Sequence, residues 1–255
     1  MNKPEVDLAF DAECEKNIEA MNHDDEFLQL GSQWFTCSLK HRYTYNFSWL
    51  GVPVIQYPTD LVAVQTAIFD LKPSVIIETG IARGGSVVFY ASLMNLLDQI
   101  HPLGDGSVRR QVIGVDIQYS EHTRDVLEKH PLSHWFKIIE GSSIDTATFD
   151  KVTRNLIDGP LLVVLDSNHT HEHVLAELNL YSKILSAGDM IIVFDTAISY
   201  VPSEYCDDRS WGADNSPLTA VEEFLTANSD FKRVMSYEKL IGRVSVANGG
   251  WLKRQ

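Results

Sequence analysis

Four acidic residues stand at or just beyond the ends of short apolar runs. Glu78 closes Val75-Ile76-Ile77, Asp116 closes Val112-Ile113-Gly114-Val115, Asp166 follows Leu161 to Leu165, and Asp195 follows Met190 to Phe194. Carboxylates gathered on one rim repel one another, so a cluster of this kind points to a ligand rather than to stability. Taken singly, each acid has a plain reading as a helix or turn cap. The first has the richest surroundings: Glu78-Thr79-Gly80-Ile81-Ala82-Arg83-Gly84-Gly85-Ser86 turns from a strand-like run into a helical pattern through three glycines. Side-chain-free residues at such a turn let the backbone approach a ligand. A dinucleotide fingerprint would need glycine where Ala82 stands, and a phosphate-binding Walker loop would need Lys and Ser or Thr where Ser86 and Val87 stand. What remains, acid-x-Gly-x-x-x-Gly-Gly, suits S-adenosylmethionine, which has no phosphates and carries a cationic sulfonium. The bland alternative is a tight packing turn.

Asp116 ends the second run, where an acid accepts hydrogen bonds from ribose hydroxyls in doubly wound sheets. Its distance from the first turn exceeds the usual ~20 residues, and the surplus falls in the turn-rich stretch His101 to Ser107. Asp166 opens Asp166-Ser167-Asn168-His169-Thr170-His171-Glu172-His173. On a helix, His169 and His173 would share a face. Three chemistries then compete. Asp166 and Asp195 suit a hard divalent cation such as Mg²⁺. His169, His173 and a carboxylate suit the facial set of a non-haem iron oxygenase. Alternatively the histidines cap and pack, one of them serving as a general base.

The elements that must position these residues alternate. A helix over 59–71, with Thr59 or Asp60 as cap, precedes the strand at 74–78, and a helix follows from Gly85 to Leu97. Strands at 111–116 and 135–140 each precede a helix, over 121–129 and 145–157. The fully apolar strand 161–165, a helix over 171–185, a strand over 190–194 and a helix over 215–227 come next, and runs near 231–236 and 242–247 suggest a terminal hairpin. This alternation predicts an α/β, Rossmann-like, doubly wound and mostly parallel seven-stranded sheet with helices on both faces. Ligands in such sheets bind beyond the carboxyl ends of the strands, where the four acids fall.

Residues 1–58 break this rhythm and are expected to form an N-terminal arm or lid ahead of a catalytic domain at 59–255: an acidic helix over 11–30, then an aromatic-rich extended stretch to Tyr57. The formal charge of −14 argues against nucleic acid as a main partner. Three cysteines without a C-x-x-C pair argue against disulfides or zinc knuckles. With no signal-like or membrane-spanning run, a cytoplasmic enzyme acting on a small molecule is expected, without membrane insertion.

The chain resembles the cephalosporin hydroxylase/rhamnosyl O-methyltransferase family, a branch of the class I S-adenosylmethionine-dependent methyltransferases. The matching residues are Ser48-Trp49-Leu50-Gly51-Val52-Pro53, the Glu78–Ser86 turn, Asp166-Ser167 with His169 and His173-Val174, and the tail Gly249 to Arg254. The resemblance implies O-methylation of a sugar-type hydroxyl and a homo-oligomer. It implies that Glu78, Gly80 and Gly84 line the methionine end of the cofactor, that Asp116 takes its ribose, and that Ser142 and Ser143 lie near its adenine, with Arg83, Ser86 and Asp166 as further cofactor-binding residues. It also implies a divalent metal, Mg²⁺, held by Asp166 and by a pair of acids after the fifth strand. Here that pair reads Phe194-Asp195, one carboxylate short. Asp166 and His169 are then the expected catalytic residues, with 200–216, which carries Trp211, as a lid. A degenerate, cofactor-binding non-enzyme is the remaining alternative.

Overall fold

The computed structural model describes residues 8–255. Helices α1 (Leu8–Asn22) and α2 (Asp25–Leu39) and a hairpin of β1 (Phe47–Trp49) and β2 (Val52–Val54) precede the main unit. The main unit runs α3 (Pro58–Leu71), β3 (Val75–Thr79), α4 (Gly85–Ile100), β4 (Gln111–Asp116), α5 (Glu121–Lys129), β5 (Phe136–Glu140), α6 (Thr146–Thr153), β6 (Leu161–Leu165) and α7 (His171–Tyr181). It closes with β7 (Met190–Val193), α8 (Pro217–Ala227), β8 (Phe231–Arg233), α9 (Ser236–Leu240) and β9 (Trp251–Arg254).

The expected α/β fold is present: a seven-stranded sheet in the order β5-β4-β3-β6-β7-β9-β8, with the β4-β3, β3-β6, β4-β5 and β6-β7 pairs parallel and β9 antiparallel to both neighbours. β3, β6 and β7 are buried on both faces, which is why Val, Ile and Leu dominate them. One face packs against α3, α4 and the arm through Val64, Ile68, Val88 and Trp251, the other against α7 and α8 through Leu178, Tyr181, Val221 and Phe224. From β3 the chain winds outward to β5, then returns to β6 on the other side. The strand order therefore reverses between β3 and β6, where a crevice opens at the carboxyl edge. Hydrogen bonds continue past the strand ends: Gly80 N to Val115 O at 2.7 Å, Asp166 N to Thr79 O at 2.9 Å and Phe194 N to Leu165 O at 3.0 Å. These bonds fix the residues that follow the strands as firmly as the strands themselves.

Several boundaries differ from the sequence expectation. The predicted 11–30 helix is two helices, broken where the Asp24 side chain caps α2 by accepting from Phe27 N. The expected terminal hairpin partner at 242–247 is irregular; the edge strand β8 pairs with β9 instead, and α9 separates the two. Neither Thr59 nor Asp60 caps α3. Thr59 Oγ1 instead donates to Val244 O at 2.6 Å, and the buried Asp60 accepts from Ser245 Oγ at 2.6 Å and Val246 N at 3.0 Å. The segment 242–247 is thus sewn to α3 by side chains, a bond pattern that apolar alternation does not encode.

Candidate active site

The turn after β3 is built to approach closely. A Cβ on Gly80, whose φ is +84°, would overlap the Asp166 carbonyl, so only glycine lets this turn pass beneath the end of β6. Gly85 serves a different neighbour: a Cβ there would overlap the Pro53 carbonyl of β2. That glycine admits the arm, not a ligand. Glu78 is buried, and Ser86 Oγ donates to it at 2.9 Å. Burial raises its carboxyl to about 8, against the lowering bond from Ser86. Asp116 Oδ2 accepts from Ile81 N at 2.9 Å and Ala82 N at 3.3 Å, and its Oδ1 from Gln118 N at 3.1 Å. Three of about four acceptor positions are used, leaving room for a ligand hydroxyl. Arg83 is exposed on the turn and lines a small cleft with Gly80, Ser86 and Asp166.

Asp166, His169 and Asp195 form one cluster, with a ligating atom from each lying within 4.8 Å of the others. His169 Nε2 and Asp195 Oδ2 are 3.1 Å apart. Burial, then the carboxylates of Asp195, Glu78, Glu177 and Asp60, push the Asp166 carboxyl well above its ordinary range. Asp195 sits in the left-handed region at φ +56°, a non-glycine conformation that aspartate tolerates better than most residues. Phe194, at the position where the family resemblance implies a second acid, is 2 % exposed and packs into the core. The third group in the cluster is His169 from the β6–α7 turn instead.

His173 is placed elsewhere. α7 begins at His171, so His169 precedes the helix and the two rings do not share its face. His173 Nε2 lies 3.0 Å from Ser143 Oγ and 3.2 Å from Ser167 Oγ, and Ser167 Oγ donates to the buried Glu177 at 2.6 Å. The iron facial set weighed from the sequence is therefore not assembled by His169 and His173. Ser142 and Ser143 follow β5 on the rim, Ser143 buried in this network and Ser142 half-buried. The segment 200–216 contacts this region: the Trp211 ring meets the His169 ring edge-on at 5.8 Å, and Asn215 Oδ1 accepts from His171 N at 2.8 Å.

Three residues of this region escaped the sequence reading. Gln56, buried on the arm, donates from Nε2 to Asp166 Oδ2 at 3.2 Å, while its Oε1 has no partner among the described residues. Its neighbours Tyr57-Pro58 looked like simple punctuation, and no local pattern marks a glutamine as site-facing. Ile117 and Ile144 are 72 % and 42 % exposed directly after Asp116 and Ser143. An apolar side chain just past each rim residue is a signal that could have been used.

Carboxyl groups whose pKa values are raised by burial and mutual repulsion, beside an amide oxygen with no partner among the described residues, form a cluster of oxygen donors. A sulfonium with an ammonium group, and a hard cation beside Asp166 and Asp195, fit that donor set. The fit rests on the oxygen donors, a property of this chain.

Comparisons with known proteins identify the family and the fold. Residues 41–255 match the family model Rhamnosyl O-methyltransferase/CmcI. The chain is 29 % identical over 218 residues to a Rhamnosyl O-methyltransferase of Mycobacterium bovis (strain BCG / Pasteur 1173P2), covering 82 % of this chain and 81 % of that one. It is 28 % identical over 210 residues to its namesake in Mycobacterium leprae (strain TN), covering 81 % and 83 %. Among solved structures, CmcI described as a Mg-SAM complex superposes with a TM-score of 0.55 at 20 % identity, covering 83 % of this chain and 77 % of that one. An apo CmcI structure gives 0.56 at 22 %, covering 82 % and 76 %. The fold is shared with CmcI, and the chain belongs to the Rhamnosyl O-methyltransferase/CmcI family.

Proposed function

We propose that this protein, an S-adenosylmethionine-dependent O-methyltransferase of that family, methylates a hydroxyl of a sugar or sugar-containing small molecule, with Mg²⁺ assistance at Asp166 and Asp195. One observation carries the reading: Gln56, Gly80, Ser86 and Asp166 line a single cleft, and Asp166 also belongs to the Asp166–His169–Asp195 cluster. A methyl donor on the glycine turn and a hydroxyl at the cluster would thus meet at Asp166. The sugar preference is supported by the relatives named Rhamnosyl O-methyltransferase.

In the reading we favour, Glu78, Gly80, Arg83, Gly84 and Ser86 hold the methionine end, Asp116 the ribose, and Ser142 and Ser143 the adenine edge, with Ile117 and Ile144 as apolar walls. A bound Mg²⁺ lowers the pKa of a coordinated hydroxyl. Asp195 orients the His169 ring through Nε2, so that Nδ1 takes the hydroxyl proton; without a cation, Asp166 is the alternative acceptor. The hydroxyl oxygen attacks the methyl carbon, the carbon–sulfur bond breaks, and S-adenosylhomocysteine leaves neutral at sulfur. Alignment of oxygen, carbon and sulfur supplies most of the acceleration, about 7–11 kcal/mol in favourable cases. The arm at 1–58 and the 200–216 segment act as lids on the domain at 59–255. No described helix is long and apolar enough to cross a membrane. Free cysteines support a cytoplasmic setting, and the exposed arm residues Phe27, Leu30 and Trp34 support a homo-oligomer.

The test is methyl transfer from labelled S-adenosylmethionine to methyl α-rhamnoside, with and without Mg²⁺, for wild type and His169→Ala. Transfer that falls at least 10²-fold in the variant is expected. Tight cofactor binding without transfer to any sugar hydroxyl would leave only the degenerate, non-enzymatic alternative.

A further inference from the structure

The acid that follows β7 stands in a costly backbone conformation. Asp195, at φ +56°, directly precedes the 3₁₀ turn Thr196–Tyr200, and its side chain makes no capping bond to that turn. A non-glycine residue in this region persists only where its surroundings over-determine it. Packing does not close around the turn on every side. Ala197 and Tyr200 border a cavity of about 510 Å³ that opens between the turn, α1, α2 and α9. Hydrogen bonds therefore carry much of the turn's definition. Its far end is tied to the cap of α8, where Ser199 Oγ meets Ser216 Oγ at 2.6 Å. Its near end, beside Asp195, is tied to Val246, whose carbonyl accepts from Ala197 N at 3.1 Å and from Thr196 Oγ1 at 3.1 Å.

The Val246 peptide is itself held from behind. Its N–H donates to Asp60 Oδ2 at 3.0 Å, and Asp60 Oδ1 accepts from Ser245 Oγ at 2.6 Å. Ser245 Oγ in turn accepts from Ala247 N at 2.9 Å. Asp60, Thr196, Ser245 and Ala247 are all fully buried, so water does not compete for these bonds. One peptide thus joins a carboxylate on α3 to the turn that starts at Asp195. Both oxygens of Asp60 are spent on neutral donors, and burying an acid against such partners costs more than burying an apolar residue. Stability alone does not account for an acid here.

We propose that Asp60 is a positioning residue for the cation site: it fixes the Val246 peptide, which fixes the turn that aims Asp195 at Asp166 and His169. The inference rests on the reading of Asp166 and Asp195 as cation ligands and adds to it a residue from α3. Partners that orient metal ligands in this way are typically worth about 10–100-fold in metal affinity. A rival account is electrostatic, because the Asp195 charge is among the causes that raise the Asp60 carboxyl, after burial.

The experiment titrates Mn²⁺, followed by its paramagnetic resonance signal, into wild type, Asp60→Asn, Asp60→Leu, Thr196→Val and Asp195→Asn. Asparagine keeps partners for Val246 N and Ser245 Oγ but removes the charge. Leucine offers neither bond, and valine at 196 removes one of the two bonds to Val246 O. The Mn²⁺ Kd is expected to rise at least tenfold in Asp60→Leu, about threefold in Thr196→Val, and less than that in Asp60→Asn. S-adenosylhomocysteine affinity, measured without the cation, should stay unchanged in all three, which general structural damage would not allow. A loss in Asp60→Asn as large as in Asp60→Leu would make the effect one of charge and overturn the positioning role. Parallel losses of cation and cofactor affinity would overturn it as well. Undiminished Mn²⁺ binding in folded Asp60→Leu, or in Thr196→Val should the leucine variant not fold, removes Asp60 alone, provided that Asp195→Asn abolishes binding. Wild type that binds no Mn²⁺ overturns the cation reading and this inference with it.

Discussion

At the scale of single residues, the site is defined by clustered carboxyl groups whose pKa values are raised by burial. Glu78, raised to about 8 by burial, is largely protonated at pH 7 in the ligand-free protein. A cationic ligand against it draws the pKa down, so cofactor binding at pH 7 is expected to release close to one proton. Titration in buffers of different ionisation enthalpy measures this release, and Glu78→Gln should abolish it while weakening affinity about tenfold or more; a buffer-independent enthalpy in wild type would contradict the assignment. Gln56 makes a second prediction. Gln56 lines the cleft, and its buried Oε1 has no partner among the described residues, so Gln56→Leu should raise the cofactor Kd about tenfold, equivalent to about 1.4 kcal/mol, with little change in melting temperature. The acids were legible in the sequence because each ends an apolar run. Gln56 was not, because its importance comes from a fold-dependent approach of the arm to β6.

At the scale of elements, the glycine turn serves two partners that the sequence could not separate. Gly80 makes room for the end of β6, and Gly85 for the carbonyl of Pro53 on β2. Trp49 reinforces that second contact, its Nε1 donating to Ser92 Oγ at 3.0 Å and its ring meeting Phe89 at 4.8 Å. Gly85→Ala is therefore expected to push the hairpin from α4 at a cost of about 1–3 kcal/mol, lowering the melting temperature by several degrees and weakening cofactor binding through Gln56. An unchanged melting temperature would show that the arm is not held there. The strands were readable because apolar β-branched runs have a fixed physical meaning in a buried parallel sheet. The segment after β8 was misread because apolar residues in 242–247 are buried by bonds to Thr59 and Asp60, not by strand pairing. His169 and His173 would share a face only if the helix reached back to His169, and α7 begins at His171, where the 171–185 reading started it.

At the scale of the whole molecule, a chain of net charge −14 gathers buried acids around one rim. Burial is the main cause that raises Asp60 to about 7 and Glu78 to about 8, from ordinary values near 4. An acid whose folded pKa is raised gives stability that is complete below its unfolded pKa and lost as pH climbs to the folded one. The ligand-free protein should therefore lose stability between about pH 4 and 8, with a slope of up to about 1.4 kcal/mol per pH unit per group. Asp60→Asn, which retains bonding partners for Ser245 and Val246, should flatten the slope by about one proton; an unchanged slope in thermal melts would remove Asp60 from the account. The sheet and the family were legible before the structure; the switch point between β3 and β6 was not read from the sequence. The cavity beyond Asp195 was not, since its walls come from α1, α2 and α9, distant in sequence. The central claim is that the rim binds S-adenosylmethionine and a hard cation together. It is tested most directly by calorimetric titration of the cofactor, with and without Mg²⁺, on wild type, Asp116→Ala and Asp195→Asn. The account predicts saturable binding lost in Asp116→Ala, together with a Mg²⁺ effect present in wild type and absent in Asp195→Asn. No cofactor binding by wild type under either condition would contradict it.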